Sequence, residues 1–314
     1  MNIYLSRISI ALKHALVSLA VSGAVLLVSD AHAKRGRTFE TKGVETIIVA
    51  SSSGSLRVEV VPKASVVEVI VEDEPDYRPE PKPREDSNED DEWDQFFGRE
   101  PKGQRTRLRS ERNGKELFLK HSSSAMVVRV PPGMNLKLKT HSGDIVLSGS
   151  VSRLEMASMS GSLTLKVQAA SIEAKTVSGD VRVEAEASIQ ELLSISGDVR
   201  VSGTADDLRV GSTSGDVELR YLPKRLEAKS VSGEIRAKGR LAADAVHRLE
   251  TVSGDMLLWL VGSQGFRLRA TSFDSEIYVD KKRFDGSVDT KVGDGAASIK
   301  AATMNGEIRI RREQ

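Results

Sequence analysis

Eight carboxylates recur at one position of a repeating pattern: Asp144, Asp180, Asp198, Asp216, Glu234, Asp255, Glu276 and Glu307. A fold that stacked them would bring like charges within about 5 Å, where they repel, so something must offset the charge. Calcium could, because it favours hard carboxylate oxygens. Arginine could: Arg182, Arg200, Arg236 and Arg309 each stand two residues after one of these acids, placed to pair across neighbouring repeats. Hydrogen bonding at a tight corner could also, since Ser and Asp side chains serve nearby backbone groups there. Paired carboxylates cleave glycosidic bonds as well, but a catalytic pair occurs once in a chain. A charge repeated in every unit points to architecture. Calcium-binding β-rolls use two-Gly nonapeptides with more oxygens per turn, so the corner reading is preferred and neither metal nor cofactor is expected.

Other chemistry is sparse. Beyond the N-terminal segment the histidines are His121, His141 and His247, too far apart for ligand spacing. No Gly-x-Ser-x-Gly elbow, His-Glu-x-x-His helix or phosphate-binding loop occurs, so no catalytic residue is assigned. With no cysteine in 314 residues, a disulfide framework, a thiolate zinc site and an iron–sulfur cluster are excluded. The 46 Lys+Arg against 45 Asp+Glu leave a formal charge of +1, which gives no general pull toward nucleic acid.

The elements that carry the acids are set by a repeat. Its Gly falls at Gly143, Gly161, Gly179, Gly197, Gly215 and Gly233, each interval 18 residues, and Gly254 follows after 21. A degenerate copy, Phe273-Asp274-Ser275-Glu276-Ile277, comes after another 21. Asn305-Gly306-Glu307-Ile308 closes the chain, and Ser53-Gly54-Ser55-Leu56 is an outlying first copy. Aliphatic columns stand five before the Gly (Leu138, Met156, Leu192), two after (Ile145, Leu163, Val181) and four after (Leu147, Leu165, Val183). A hydroxyl always stands three before, as in Thr140, Ser158 and Thr176. Period-2 alternation around a Gly predicts two short strands per repeat. Such strands bury their inner faces only by stacking on the next repeat. The expected fold is all-β: a single β-solenoid of about ten coils, taken as right-handed, with ladders along the stack. The corner Gly is expected at positive φ, and the hydroxyl column is expected to face inward and bond along the stack. Open solenoid ends would expose strand edges and permit self-association.

One stretch departs from the outward polar columns. Leu257 and Tyr278 fall three after the corner, and Trp259 five after. Together they suggest an exposed contact patch, unless the longer coils shift register. A second aromatic group, Trp93, Phe96 and Phe97, lies inside an acidic, Pro-rich insertion over 73–104. From Glu72 to Glu100 there are 13 acidic and 4 basic residues, a composition that predicts disorder. Those aromatics either dock on the parent solenoid or form a linear motif for a partner.

The first 33 residues have the order of a secretory signal: Arg7 and Lys13, then the 14-residue apolar run Ala15 to Val28, then Ala31-His32-Ala33. Fourteen residues are short of the roughly 20 that span a bilayer. The expectation is a signal peptide over 1–33, an exported chain over 34–314 with no stable membrane span, and a periplasmic, secreted or cell-surface location.

The Ser-Gly-Asp-Val/Ile corner, the opening Ile-x-Val…Ser-Gly-Ser-Leu-x-Val and the closing Gly293-Asp294-Gly295…Ile299…Asn305-Gly306-Glu307-Ile308 resemble the bacterial putative-adhesin family, an adhesin-like domain of unknown function, over roughly 43–312. The resemblance implies an exported β-solenoid with no known enzymatic activity. The expected function is that of a non-enzymatic cell-envelope rod for adhesion, scaffolding or envelope sensing, with an envelope protein or polysaccharide as partner. The alternative is a β-helix protein that binds or acts on polysaccharide through the aromatic patch.

Overall fold

A computed structural model describes residues 36–71, 108–122 and 124–313. The insertion, with Trp93, Phe96 and Phe97, and the N-terminal segment lie outside the described residues. Every regular element described is a β-strand. The 16-residue strands Leu163–Ser178, Val181–Ser196 and Val199–Ser214 pair in parallel: Leu163 lies beside Val181, and Val181 beside Val199. The 18-residue interval is thus the climb from one level to the next. Each of these levels is one strand rather than the two expected from the pattern. Pairing skips Ala170 and Ser188, and there the inward-outward alternation changes phase, which puts a second bend opposite the Gly corner.

The aliphatic columns line the interior. Ile145, Leu163, Val181, Val199, Val217 and Ile235 form one row, all fully buried. Leu138, Met156, Ala174 and Leu192 form another. Burying such side chains stabilises by about 1.5–3 kcal/mol each, and small aliphatics suit a core in which successive levels superpose. Gln190 and His247 interrupt an inner aliphatic row and are themselves buried.

At both ends the order of levels differs from the order of the chain. Leu56–Val60 pairs with Ile145–Ser150 on one side and Met126–Val130 on the other, so the Gly54 corner sits one level inside the N-terminal end. At the other end, Met256–Val261 pairs with Ile308–Glu313, and that strand pairs with Ile277–Val279. The last segment of the chain is therefore inserted between the Gly254 level and the Phe266–Val279 strand, which the 21-residue spacing alone had placed next to each other. The two corners that carry Ser, at Ser124 and Ser275, occupy the outermost levels.

Beyond these outermost levels the strands run antiparallel. Arg109–Asn113 covers Glu116–His121, Val66–Val71 covers Met126–Val130, and Lys282–Val292 covers Phe266–Val279. The rims Arg109–Asn113 and Lys282–Val292 are mostly exposed and rich in charge, which discourages edge-to-edge pairing.

Candidate functional site

The corner carries two ladders of hydrogen bonds. On the inner side, Thr176 Oγ1 donates to Gly161 O (3.1 Å), Ser194 Oγ to Gly179 O (3.0 Å) and Ser212 Oγ to Gly197 O (2.9 Å). Thr303 continues this to Gly254, and Ser272 to Gly306. The hydroxyl column is buried, as its spacing suggested. On the outer side, the amide of Asp198 donates to Asp180 Oδ1 (3.0 Å), that of Asp216 to Asp198 Oδ1 (2.9 Å), and that of Glu234 to Asp216 Oδ1 (2.9 Å). The second carboxylate oxygen meets arginine: Arg182 to Asp180 at 2.6 Å and Arg200 to Asp198 at 2.8 Å. These short pairs lie within one level; the pairs across levels expected from sequence are longer, at 3.8 Å for Arg200–Asp180 and 3.2 Å for Arg236–Asp216. The carboxylates that could have bound calcium are spent on backbone amides and guanidinium groups. Among the described residues no group of three or more His, Asp or Glu is placed to hold a metal ion.

The corner glycines are needed for a different reason from the one expected. Gly161, Gly179, Gly197, Gly215, Gly233 and Gly254 lie outside the left-handed region; of the repeat corners, Gly54 and Gly143 have positive φ. What excludes a side chain is the level beneath. A Cβ at Gly197 would stand 2.6 Å from the carbonyl carbon of Gly179 and closer still to its oxygen. The same contact recurs at Gly161, Gly179, Gly215, Gly233, Gly254 and Gly306.

The aromatic patch is arranged differently from the sequence expectation. Leu257, Trp259 and Tyr278 are half-buried outward positions, but the inserted C-terminal strand separates them. Arg309 lies between Leu257 and Tyr278, and Arg311 beside Trp259. Trp259 is flanked on its other side by Lys238, whose ammonium pairs with Glu313 at 2.8 Å. The Arg309 guanidinium sits 5.5 Å from the centre of the Tyr278 ring and also bonds Glu307. The Tyr278 hydroxyl donates to Glu276, which pushes its pKa up. The result is a row of alternating rings and cations rather than an apolar surface.

A second outward feature carries no sequence assignment. Two residues before the corner, Met159, Val177, Ile195, Val231, Val252 and Met304 are 39–55% exposed. Phe273, beside Met304 at the end level, is 84% exposed. Thr213 interrupts the row between Ile195 and Val231, and toward the N-terminal end the same position is polar, at His141 and Ser52. The apolar side chains make one ridge along the corner. Counting that column in the repeat would have found it: it alternates out of phase with the core columns, so its apolar residues cannot be core.

A shallow groove of about 430 Å³ crosses the opposite part of the strands, lined by Ile189, Asp207, Arg225 and Val246 among others. There the Arg225 guanidinium holds the Asp207 carboxyl below its ordinary range. Inside, His247 Nε2 lies 2.8 Å from Pro223 O, and burial pushes its pKa down. No helix among the described residues is long and apolar enough to cross a membrane.

Solved structures with a similar course include a "putative adhesin" from Bacteroides fragilis, 10% identical, covering 88% of this chain and 96% of that one, with a TM-score of 0.41. A "putative cell adhesion protein" from Clostridium sporogenes is 11% identical, covering 89% and 100%, with a TM-score of 0.24. A "putative lipid binding protein" from Parabacteroides distasonis is 14% identical, covering 88% and 96%, with a TM-score of 0.41. No curated protein matches the sequence. The family profile described as Toastrack DUF4097 matches residues 39–202 and 89–311, so the matches together run over nearly all of the repeat region, and the chain belongs to the Toastrack DUF4097 family.

Proposed function

We propose that this is a non-enzymatic, exported cell-envelope protein: a rigid β-solenoid of about ten coils that presents its outer faces for adhesion or scaffolding. One observation carries the reading. The carboxylates repeated along the corner, the chain's most abundant candidates for chemistry, are engaged by the next level's amides and by arginines. They hold the stack together and are not poised for proton transfer.

The second reading, a polysaccharide-binding solenoid, is favoured by Trp259 standing between Lys238 and Arg311. A ring face takes a sugar face, and flanking cations suit an acidic glycan. The test is co-sedimentation of the protein with purified cell-wall polysaccharide, for wild type and Trp259→Ala, with release of new reducing ends measured in parallel. Both readings expect binding without hydrolysis. Loss of binding in Trp259→Ala selects the aromatic row; retained binding places the contact elsewhere; steady release of reducing ends contradicts the non-enzymatic reading.

A further inference from the structure

We propose that the C-terminal end of the stack carries a phosphate-binding site, centred on Lys300, on the face that precedes the Gly corner. Over most of that face unlike charges meet: Lys137 with Glu155 (3.8 Å), Lys175 with Glu191 (3.2 Å), Arg209 with Glu227 (3.8 Å), and Arg225 with Asp207. At the last levels that arrangement stops. Arg248, Lys300 and Arg269 stand side by side on three successive strands. Arg267, on the outward row next to them, faces Lys291 across the antiparallel pair. Like charges set directly opposite each other destabilise a sheet, so this end carries a repulsion that a bound anion relieves.

The acids nearby do not offset it. Glu250 is held by Arg248 at 2.6 Å and lies 3.7 Å from Lys229; Asp289 is held by Arg269 at 3.0 Å. Among the described residues, Lys300, Arg267 and Lys291 pair with no carboxylate. The short side chains of Ala302 and Thr271 leave a depression of about 220 Å³ bordered by Arg248, Lys300, Arg269 and Glu250. Three cations against one acid give its border a net charge of +2, the complement of a phosphomonoester at neutral pH, about −2. The Lys300 ammonium has three donors, each guanidinium keeps N–H groups beyond those given to its acid, and Thr271 adds a hydroxyl. Phosphate oxygens accept from several sides at once, which suits cations spread over three strands. No aromatic side chain lines the depression, so the site reads the phosphate rather than a base or ring attached to it. Its source is either a free phosphate or soluble phosphoester, or the head group of a phospholipid. Trp259, which follows the corner, plays no part in it.

The experiment is equilibrium dialysis of the whole chain against radiolabelled inorganic phosphate at low ionic strength, with the melting temperature of every variant measured alongside. Wild type is expected to bind a single phosphate per chain. Lys300→Gln is expected to bind about tenfold more weakly with an unchanged melting temperature, and Lys300→Arg to keep most of the affinity. Arg153→Gln, which removes an exposed cation from the same face several levels away, is expected to bind as wild type does. Sedimentation with phosphatidic acid vesicles, reversed by inorganic phosphate and absent with phosphatidylcholine vesicles, assigns the source to a lipid head group. Phosphate binding without such sedimentation assigns it to a free ion or soluble phosphoester. A wild type that binds no phosphate overturns the proposal. So does binding that Lys300→Gln leaves intact, or that Arg153→Gln weakens equally, which marks a general effect of charge.

Discussion

The carbonyl group of Gly179 fills the space that a Cβ on Gly197 would occupy. The contact is between backbones, so no rotamer change relieves it. It ties the spacing of the levels to the absence of a side chain, and the hydroxyl of Ser194 then reaches the same carbonyl from within.

Gly197→Ala is therefore expected to cost about 3 kcal/mol or more, as overpacking against an unyielding wall does. Gly197→Asn should be no better, although Asn tolerates left-handed backbone. Gly262→Ala, at φ +100° with open space around it, should cost only the roughly 1–2 kcal/mol of a left-handed residue. Chemical denaturation of the three variants checks this; a mild Gly197→Asn would restore the positive-φ explanation.

Asp198 accepts the Asp216 amide and pairs with Arg200. Asp198→Asn keeps the acceptor and should lie within about 0.5 kcal/mol of wild type, since a half-exposed ion pair contributes little. Asp198→Ala strands the amide and should cost about 1–2 kcal/mol. Adding a chelator should leave the melting temperature of wild type unchanged. A chelator-induced fall would mean that the acidic ladder holds calcium.

His247 is buried between Leu226 and Ile299 in an aliphatic row, and burial holds its pKa below the ordinary 6.5. The unfolded chain takes up a proton first as the pH falls, so the folded state loses stability below about pH 6.5 until its own pKa is reached. His247→Leu should flatten the fall in melting temperature between about pH 7 and about pH 5. An unchanged pH profile would show that other groups set it.

The stack was legible in the sequence because its cause is local. Equal intervals between glycines fix the register of Leu163, Val181 and Val199, and alternation fixes which residues face inward. The ends were less legible. Spacing along the chain says nothing of a strand that leaves the stack, doubles back through Lys282–Val292 and returns between two earlier levels. The neighbours of Leu257, Trp259 and Tyr278 were hidden for the same reason, since Arg309 and Arg311 belong to the inserted strand. The ridge was visible as a column of Met, Val and Ile beside most corners from Gly161 onward, but its meaning needed the exposure that the structure supplies.

The order of levels is the central claim, because both the ridge and the cation-flanked row depend on the last strand lying between Gly254 and Ser275. Pairs of cysteines on neighbouring levels, about 4.8 Å apart at Cα, fall within disulfide range, whereas pairs two levels apart do not. In a background without other cysteines, Val252→Cys with Met304→Cys and Phe273→Cys with Met304→Cys should each close an intramolecular disulfide on mild oxidation with oxidised glutathione, seen as a mass loss of two hydrogen atoms in the monomer fraction. Val252→Cys with Phe273→Cys should not. A bridge in this last pair, with none between Val252→Cys and Met304→Cys, would place the levels in chain order and contradict the structure.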